Sequence, residues 1–365
     1  MKIFKDNQKR IFFIAEAGGN HNGDTLKAKK LIDIAKKSGA DAVKFQTFIP
    51  ENLTQKDNKI AAYAKKNYKK NIPQIELLKF CQLEFKDHII LKRYAQKKKI
   101  EFFSTAFDFA SLEFLSKEIS LKDHKIPSGE ITNYPLLLEH SLRDHNIILS
   151  TGMSTIDEIK NAINLIAYGF LNKGKKIQNI KPPTLSTDYT QKIKKKIYNK
   201  LILMHCVSNY PTKLEDLNLK AIQLLKNTFG LRVGFSDHSL SILVPSLAVA
   251  AGADVIEKHF TLDRMLPGPD HKSSLTPSEL KKTILKVKET EIILGKPIKK
   301  PNLDEIEVAK IARKKIIAKK EIKLGEIFTF QNLTTKRAHR GLSAINFWKV
   351  IGKRSKKNYK PDDII

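Results

Sequence analysis

Between residues 11 and 258 the chain repeats one alternation. A short run rich in isoleucine, valine and phenylalanine is followed by a longer stretch with apolar residues at helical spacing. The apolar runs fall at 11–15, 42–46, 102–105, 124–126, 147–150, 201–205, 233–236 and 255–258. Helical stretches fall at 24–38, 85–98, 110–115, 155–168, 218–227 and 242–251. Asp24 and Ser154 carry start signals, the latter with Asp157 and Glu158 behind it; Gly39 and Gly252 carry stop signals. A strand that returns through a helix lies parallel to its predecessor. Eight such units predict an α/β fold, a closed (β/α)8 TIM barrel. A doubly wound open sheet is the alternative, but no glycine-rich dinucleotide turn follows the first run.

Two segments break the rhythm. Residues 47–80 read as a long polar loop, a lid or a dimer contact, and 172–200 as a lysine-rich solvated insertion carrying Pro182 and Pro183. Near 294–301 the composition shifts to GKPIKKPN, a linker signal. Beyond it, β-like runs at 315–318, 327–330 and 350–352 alternate with glycines and polar turns, as in a small mostly-β domain. The expected division is a barrel over 1–293, a linker over 294–311 and a small domain over 312–365. Within the last, TTKRAHRGLS at 334–343 reads as a basic surface turn or as an arm reaching over a neighbouring barrel mouth.

Lys+Arg 67 against Asp+Glu 38 gives a net charge of +29, which invites a nucleic-acid reading. The lysines are spread over the whole chain, without the interleaved aromatics of a base-stacking platform. Specific nucleic-acid binding is therefore not expected, and the positive field would instead draw in a phosphorylated, carboxylated substrate. Cys81 and Cys206 are too few for a disulfide framework and lack metal-pair spacing. The apolar core after MKIFKDNQKR is too short for a signal peptide, and no run reaches membrane-spanning length without charge or proline. The chain reads as cytoplasmic, with no membrane partner.

Active sites of such barrels lie at the C-terminal strand ends, and there the sequence is consistently polar. Glu16 follows the first run, Lys44 and Gln46 lie in the second, and Thr105 ends the third. Lys125 lies in the fourth, followed by Ser128 and Glu130; Ser150 ends the fifth, and Tyr210 follows the sixth. Ser236, Asp237 and His238 end the seventh, and Glu257 and His259 the eighth, with Asp270 beyond. Lysines, hydroxyls and glycine turns supply charge-assisted donors to a phosphate and a carboxylate. Glu16 and Glu130 suit acid–base work if burial lifts them toward neutrality. His238 and His259 sit at adjacent strand ends among acids, a setting that suits a borderline or hard divalent cation. Lys44 as a Schiff-base lysine is an alternative, with the histidines then structural. From a different class, a basic RNA- or surface-binding protein on an inactive barrel is a further reading.

The segments VKFQTF, KIPSGE, ILSTGM, LMHCVSNYPT, GFSDHSL, IEKHFTLD and PGPDHKSSL, with TTKR and GLS near the end, resemble the N-acetylneuraminate (sialic acid) synthases. That resemblance implies a barrel followed by a small antifreeze-like SAF (β-clip) domain and a domain-swapped homodimer. It also implies condensation of phosphoenolpyruvate with N-acetylmannosamine, with release of phosphate by C–O cleavage. The metal implied is Mn²⁺, with Mg²⁺ or Co²⁺ as alternatives. Carried over by motif, Glu16 and Glu130 resemble catalytic residues, and Lys44, Thr105, Lys125, Ser128, Ser150 and Ser236 the phosphoenolpyruvate-binding set. Gln46, Tyr210 and Asp270 resemble residues near the amino sugar, and His238 and His259 the metal ligands. Arg337 resembles an arginine given in trans. Here the family's Arg-Pro-Gly reads Arg337-Ala338-His339-Arg340-Gly341, so Arg337 and Arg340 are both candidates for that contact. A synthase of a related acid, legionaminic or pseudaminic, is the nearest alternative. DHKSS after Pro269 points to the neuraminate or legionaminate type.

Overall fold

A computed structural model describes residues 2–4, 10–60, 72–184 and 186–365. The chain divides into two compact units, Met1–Gly295 and Lys296–Ile365. The first is built on β1 (Phe12–Gly18), β2 (Ala42–Thr47), β3 (Glu101–Ala106), β4 (Asp123–Ile126), β5 (Asn146–Ser150), β6 (Leu201–Cys206), β7 (Arg232–Asp237) and β8 (Val255–His259). They close into one parallel barrel in sequence order, β8 pairing with β1. Each expected apolar run is a strand, its ends displaced by at most three residues.

Strands buried on both faces need apolar side chains on both, and alternation divides these strands into two cores. Residues facing the helices join one large cluster that includes Phe13, Ala15, Val43, Phe45, Ile147 and Leu149. Those facing the barrel axis form a separate plug of Phe12, Ile14, Ala42, Phe103, Ile148, Ile202, Met204 and Val255, with Ile3 joining it. Burying one such Phe or Ile is worth roughly 1.5–3 kcal/mol, so the lower barrel is a packed core and not a channel. Gly234 belongs to this packing: a Cβ there would lie 2.7 Å from Met204 Sδ and from Val255 Cβ. Any larger residue would force the plug apart.

Helices form where the capping signals predicted, with one shift. Asp24 caps Thr25–Ser38 by accepting from the backbone N–H groups of Leu26 and Lys27, and Gly39 ends it at φ 90°. The helix Ile156–Leu171 is capped by Thr155 with Glu158 in a reciprocal capping box, and not by Ser154. The 47–80 segment, expected as a loop, carries short helices at Pro50–Leu53 and Gln74–Cys81, while 61–71 lie outside the described residues. The 172–200 insertion, expected to be solvated, is pinned: Asn164 donates to the Thr187 carbonyl and accepts from the Tyr189 N–H. Its last helix, Lys194–Lys200, buries Ile197.

In the second unit, β9 (Lys314–Ala318) and β10 (Leu333–Arg337) pair antiparallel. Single bridges extend the pairing, among them Ile317 to Ile364 and Ile322 to Tyr359. Its core gathers Ile316, Ala318, Ile322, Phe328, Leu333 and Val350. Two β expectations need correction. The run at 327–330 makes only a bridge from Ile327 to Arg354, and Val350 ends the short helix Phe347–Val350. The stretch read as a linker holds the helix Leu303–Ala312, started by an Asn302–Glu305 capping box.

Candidate active site

The alternation that fills the lower barrel with hydrocarbon turns polar one step higher. On β1 the axial series runs Phe12, Ile14, Glu16; on β2 it is Ala42, Lys44, Gln46; on β8 it is Val255, Glu257, His259. Register sets these levels side by side: Glu16 lies opposite Lys44 on one edge and His259 on the other, Thr105 opposite Lys125, and Ser236 opposite Glu257. Above them opens a cavity of about 620 Å³ lined by the polar strand ends and by Leu53, Asn58, Leu77 and Cys81 of the 47–81 segment. That segment therefore walls the site.

At the floor four buried charges interlock. Lys44 Nζ lies 2.9 Å from Glu16 Oε2 and 3.6 Å from Glu257 Oε2, and donates to Thr105 Oγ1 at 3.1 Å. Lys125 Nζ donates to Glu257 Oε1 at 2.8 Å, where Ser236 Oγ also donates at 2.8 Å. All are at most 4% exposed. Burial would lower Lys44, but Glu16 and Glu257 outweigh it and raise its pKa, so it stays an ammonium. A Schiff-base nucleophile has to shed that proton, which weighs against the aldolase alternative. The two carboxyls are driven apart. Burial pushes Glu16 up to about 7 against the pull of Lys44. Burial also opposes ionisation of Glu257, yet Lys125 and Lys44 hold it well below the usual carboxylate range. One site thus holds a fixed anion and a carboxyl poised near neutrality, a division of labour suited to proton transfer.

The two rim histidines converge. Their ring centroids lie 5.5 Å apart at 63°, with the Tyr210 ring 4.2 Å from His238 and 5.8 Å from His259. His238 Nδ1 lies 2.7 Å from the Val207 carbonyl, which can only accept, so Nδ1 carries the proton and Nε2 presents its lone pair. Such a backbone contact orients metal-binding imidazoles. Tyr210 OH approaches that Nε2 at 3.2 Å. His259 Nδ1 is buried without a hydrogen-bond partner. Burial lowers His238 to about 4 and His259 well below its ordinary value, so both are neutral, the form a metal requires. The pair fits a divalent ion as two ligands, leaving its other positions to solvent and substrate.

The remaining expected residues divide. Ser128, Ser150, Gln46, Glu130 and Asp270 all line the cavity. Gly152 N–H donates to Ser128 Oγ at 2.9 Å, and Asn133 donates to Glu130 Oε2 at 2.6 Å. Burial pushes Asp270 up to about 6. Arg337 belongs to the second unit, exposed at the end of β10, and Arg340 is exposed in the turn beyond it. Glu257 carries no assigned role from the sequence, although its carboxylate joins both lysines. Its signal was its place two residues before His259, on the axial face of β8. Asp237, expected among the acids beside the imidazoles, accepts from Lys258 Nζ at 2.5 Å.

The model of the NeuB family matches residues 31–299. The chain is 44% identical to the N,N'-diacetyllegionaminic acid synthase of Campylobacter jejuni, over 98% of this chain and 99% of that protein. It is 41% identical to the synthase of the same name from Legionella pneumophila, over 95% and 91%. The crystal structure of an N-acetylneuraminic acid synthetase from Leptospira borgpetersenii, in complex with citrate, superposes with a TM-score of 0.65 at 35% identity, covering 82% of this chain and 91% of that one.

Proposed function

The chain belongs to the NeuB family and is an enzyme of the nonulosonic acid synthase type, and from that premise we propose that it condenses phosphoenolpyruvate with an N,N'-diacetylated six-carbon sugar. Phosphoenolpyruvate brings three carbons and no nitrogen to a nine-carbon acid, so both acetamido groups of a diacetylated product come from the acceptor. The two synthases at 44% and 41% identity favour this acceptor over N-acetylmannosamine. The observation that carries the reading is the interlocked set of Lys44, Lys125, Glu16 and Glu257 beneath two neutral imidazoles in one cavity.

The ammonium groups of Lys44 and Lys125, with the hydroxyls of Thr105, Ser128, Ser150 and Ser236, hold the phosphate and carboxylate of phosphoenolpyruvate. Its C3 then forms a bond to the aldehyde carbon, and the aldehyde oxygen takes up a proton. Water adds at C2, and the C2–O bond breaks to release phosphate. Glu16 moves the proton, since a carboxyl near 7 both gives and takes it at neutral pH. Glu130 is a second acid–base candidate at the cavity wall, and Gln46, Tyr210 and Asp270 face the sugar. His238 and His259 would hold a divalent ion, Mn²⁺ first, which when bound would supply Lewis acidity toward the aldehyde. Phosphoenolpyruvate being a metabolite of the cell interior, the enzyme is assigned to the cytoplasm; no helix among the described residues is long and apolar enough to cross a membrane.

The test is phosphate release and product mass with phosphoenolpyruvate and a panel of mono- and di-N-acylated hexoses. The diacetylated aldose is expected to give the highest kcat/KM, by about tenfold or more, as buried polar groups left unpaired by a smaller acceptor cost that much. EDTA is expected to abolish turnover and Mn²⁺ to restore it. No phosphate release with any acceptor in the presence of Mn²⁺ would sink the reading.

The resemblance also supports a homodimer in which Arg337 serves the partner's cavity. Mixing His259→Ala with Arg337→Ala chains is then expected to restore part of the activity that neither retains. Mixed dimers, verified by mass, that stay inactive count against it.

A further inference from the structure

On the outer side of β4, away from the cavity, three imidazoles meet. His124 lies on β4, His140 on the helix Tyr134–Leu142, and His145 in the turn that leads into β5. They are 0%, 0% and 6% exposed. One ring nitrogen from each lies within 4.8 Å of the other two. The rings of His124 and His145 stack at 3.8 Å and 14°, and His140 stands edge-on to both at 5.2 and 5.9 Å.

Both nitrogens of His140 and the Nδ1 atoms of His124 and His145 are buried without a hydrogen-bond partner. Buried polar atoms are nearly always partnered, because leaving one bare forfeits its hydration with nothing in return. Each neutral ring has one lone pair, so of these four nitrogens up to three, one per ring, await something that accepts a lone pair, the other His140 nitrogen carrying its proton. His124 shows how its ring is set. Nε2 lies 3.0 Å from the Leu121 carbonyl, which can only accept, so Nε2 carries the proton and Nδ1 is left as a lone pair. Backbone contacts of this kind fix the tautomer of metal-ligating histidines. Neutral imidazole is also the form in which all three are held, burial lowering each. Two cations lie near the cluster: Arg143, just past the helix, is engaged by Glu139 at 2.8 Å and by Glu113, and Lys200 is engaged by Asp144 at 3.1 Å; Asp123 sits beside His124 in the chain.

We propose that His124, His140 and His145 bind a borderline divalent transition ion of the Zn²⁺ class, as a structural site separate from the cavity. Three imidazole donors suit Zn²⁺, Co²⁺ and Ni²⁺, and do not suit Mg²⁺ or Ca²⁺. A four-coordinate ion with bonds of about 2.0–2.1 Å draws its donors to roughly 3.4 Å from one another, and to aim both lone pairs at it the stacked rings of His124 and His145 have to swing apart and turn out of parallel. Water takes the fourth position beside His145. The ion ties β4, the helix behind it and the entry to β5 into one piece. Lys125 follows His124 directly and points to the opposite face of the strand, so the site braces the strand that presents a cavity lysine.

The experiment uses tag-free, chelator-stripped His238→Ala/His259→Ala protein, in which the rim pair is gone. Titration with Co²⁺ is expected to give one equivalent bound, with the visible absorption of a four-coordinate site, bleached by Zn²⁺. Adding His140→Leu, or the edge variant His145→Gln should the first not fold, is expected to weaken binding at least tenfold. In wild-type protein, X-ray absorption at the zinc edge is expected to show imidazole scattering that His140→Leu removes. A colourless double variant, or one whose binding His140→Leu and His145→Gln leave unchanged, overturns the proposal. Because cobalt binding is read without turnover, its failure is distinct from failure of the synthase reading.

Discussion

Glu257→Gln is expected to lower stability by about 3–5 kcal/mol, the usual cost of breaking a buried ion pair by removing one partner, and to reduce turnover to background. Lys44 and Lys125 both lean on this carboxylate, at 3.6 and 2.8 Å, and Lys125 has no other buried carboxylate within salt-bridge distance among the described residues. The glutamine keeps the shape and the acceptor for Ser236 but leaves two ammonium groups against one anion. Phosphate or phosphoenolpyruvate should recover much of the lost stability, because either supplies the missing negative charge. In the wild type the same anion competes with Glu257 for the lysines and should stabilise less. Urea unfolding with and without phosphate reads both effects. An unshifted midpoint in the variant, or equal rescue of the two proteins, would remove Glu257 from the centre of the site.

Acid is expected to unfold this protein cooperatively between about pH 6.5 and 4.5, well above the range where carboxylate pairs alone fail. Eight histidines are buried: His21, His88, His124, His140, His145, His238, His259 and His271. Burial lowers every one, His21 to about 3 and His88 and His271 to about 4 among those clear of either imidazole cluster. The unfolded chain protonates them near 6.5 and the folded chain does not, so their contribution is complete above 6.5 and lost as pH falls toward 4. Each is worth about 1.4 kcal/mol per pH unit. Glu16 and Asp270, raised to about 7 and 6, act with the opposite sign over the same window. Eight groups outweigh two, and an ordinary stability of about 5–15 kcal/mol is spent within two pH units. Far-UV circular dichroism against pH measures this; a native spectrum and an unchanged urea midpoint at pH 4.5 would refute it.

The barrel was legible because its strands carry two signals at once. Runs such as those in β1 and β5 are apolar on both faces, and the axial residue above the plug turns polar, as Glu16 and Ser150 do. The lysines, hydroxyls and rim histidines could be collected from strand ends alone, since topology sends all of those ends to one rim. What could not be read was partnership. Glu257 on β8 meets Lys44 over the intervening β1 and Lys125 across the barrel axis on β4, a proximity that exists only once the barrel has closed. His124, His140 and His145 come from a strand, a helix and a turn, with no spacing that marks them as a set. β10 was hidden for another reason: Leu333–Arg337 reads Leu-Thr-Thr-Lys-Arg, with one buried apolar residue and an exposed basic end, so no hydrophobic period betrays it. The helix Leu303–Ala312 buries no residue and was masked by the prolines before it.

The hydrocarbon plug made by Phe12, Ile14, Phe103, Ile148 and their neighbours turns the barrel into a blind well. Among the described residues the plug closes the lower end and leaves the rim as the doorway, and Lys44 sits two residues below Gln46 on the same strand. The guest that seeks the lysines must therefore descend before the guest that rests at Gln46 stoppers the shaft, and departures run in reverse. Product-inhibition patterns record that queue directly: a compulsory order, with no random arm.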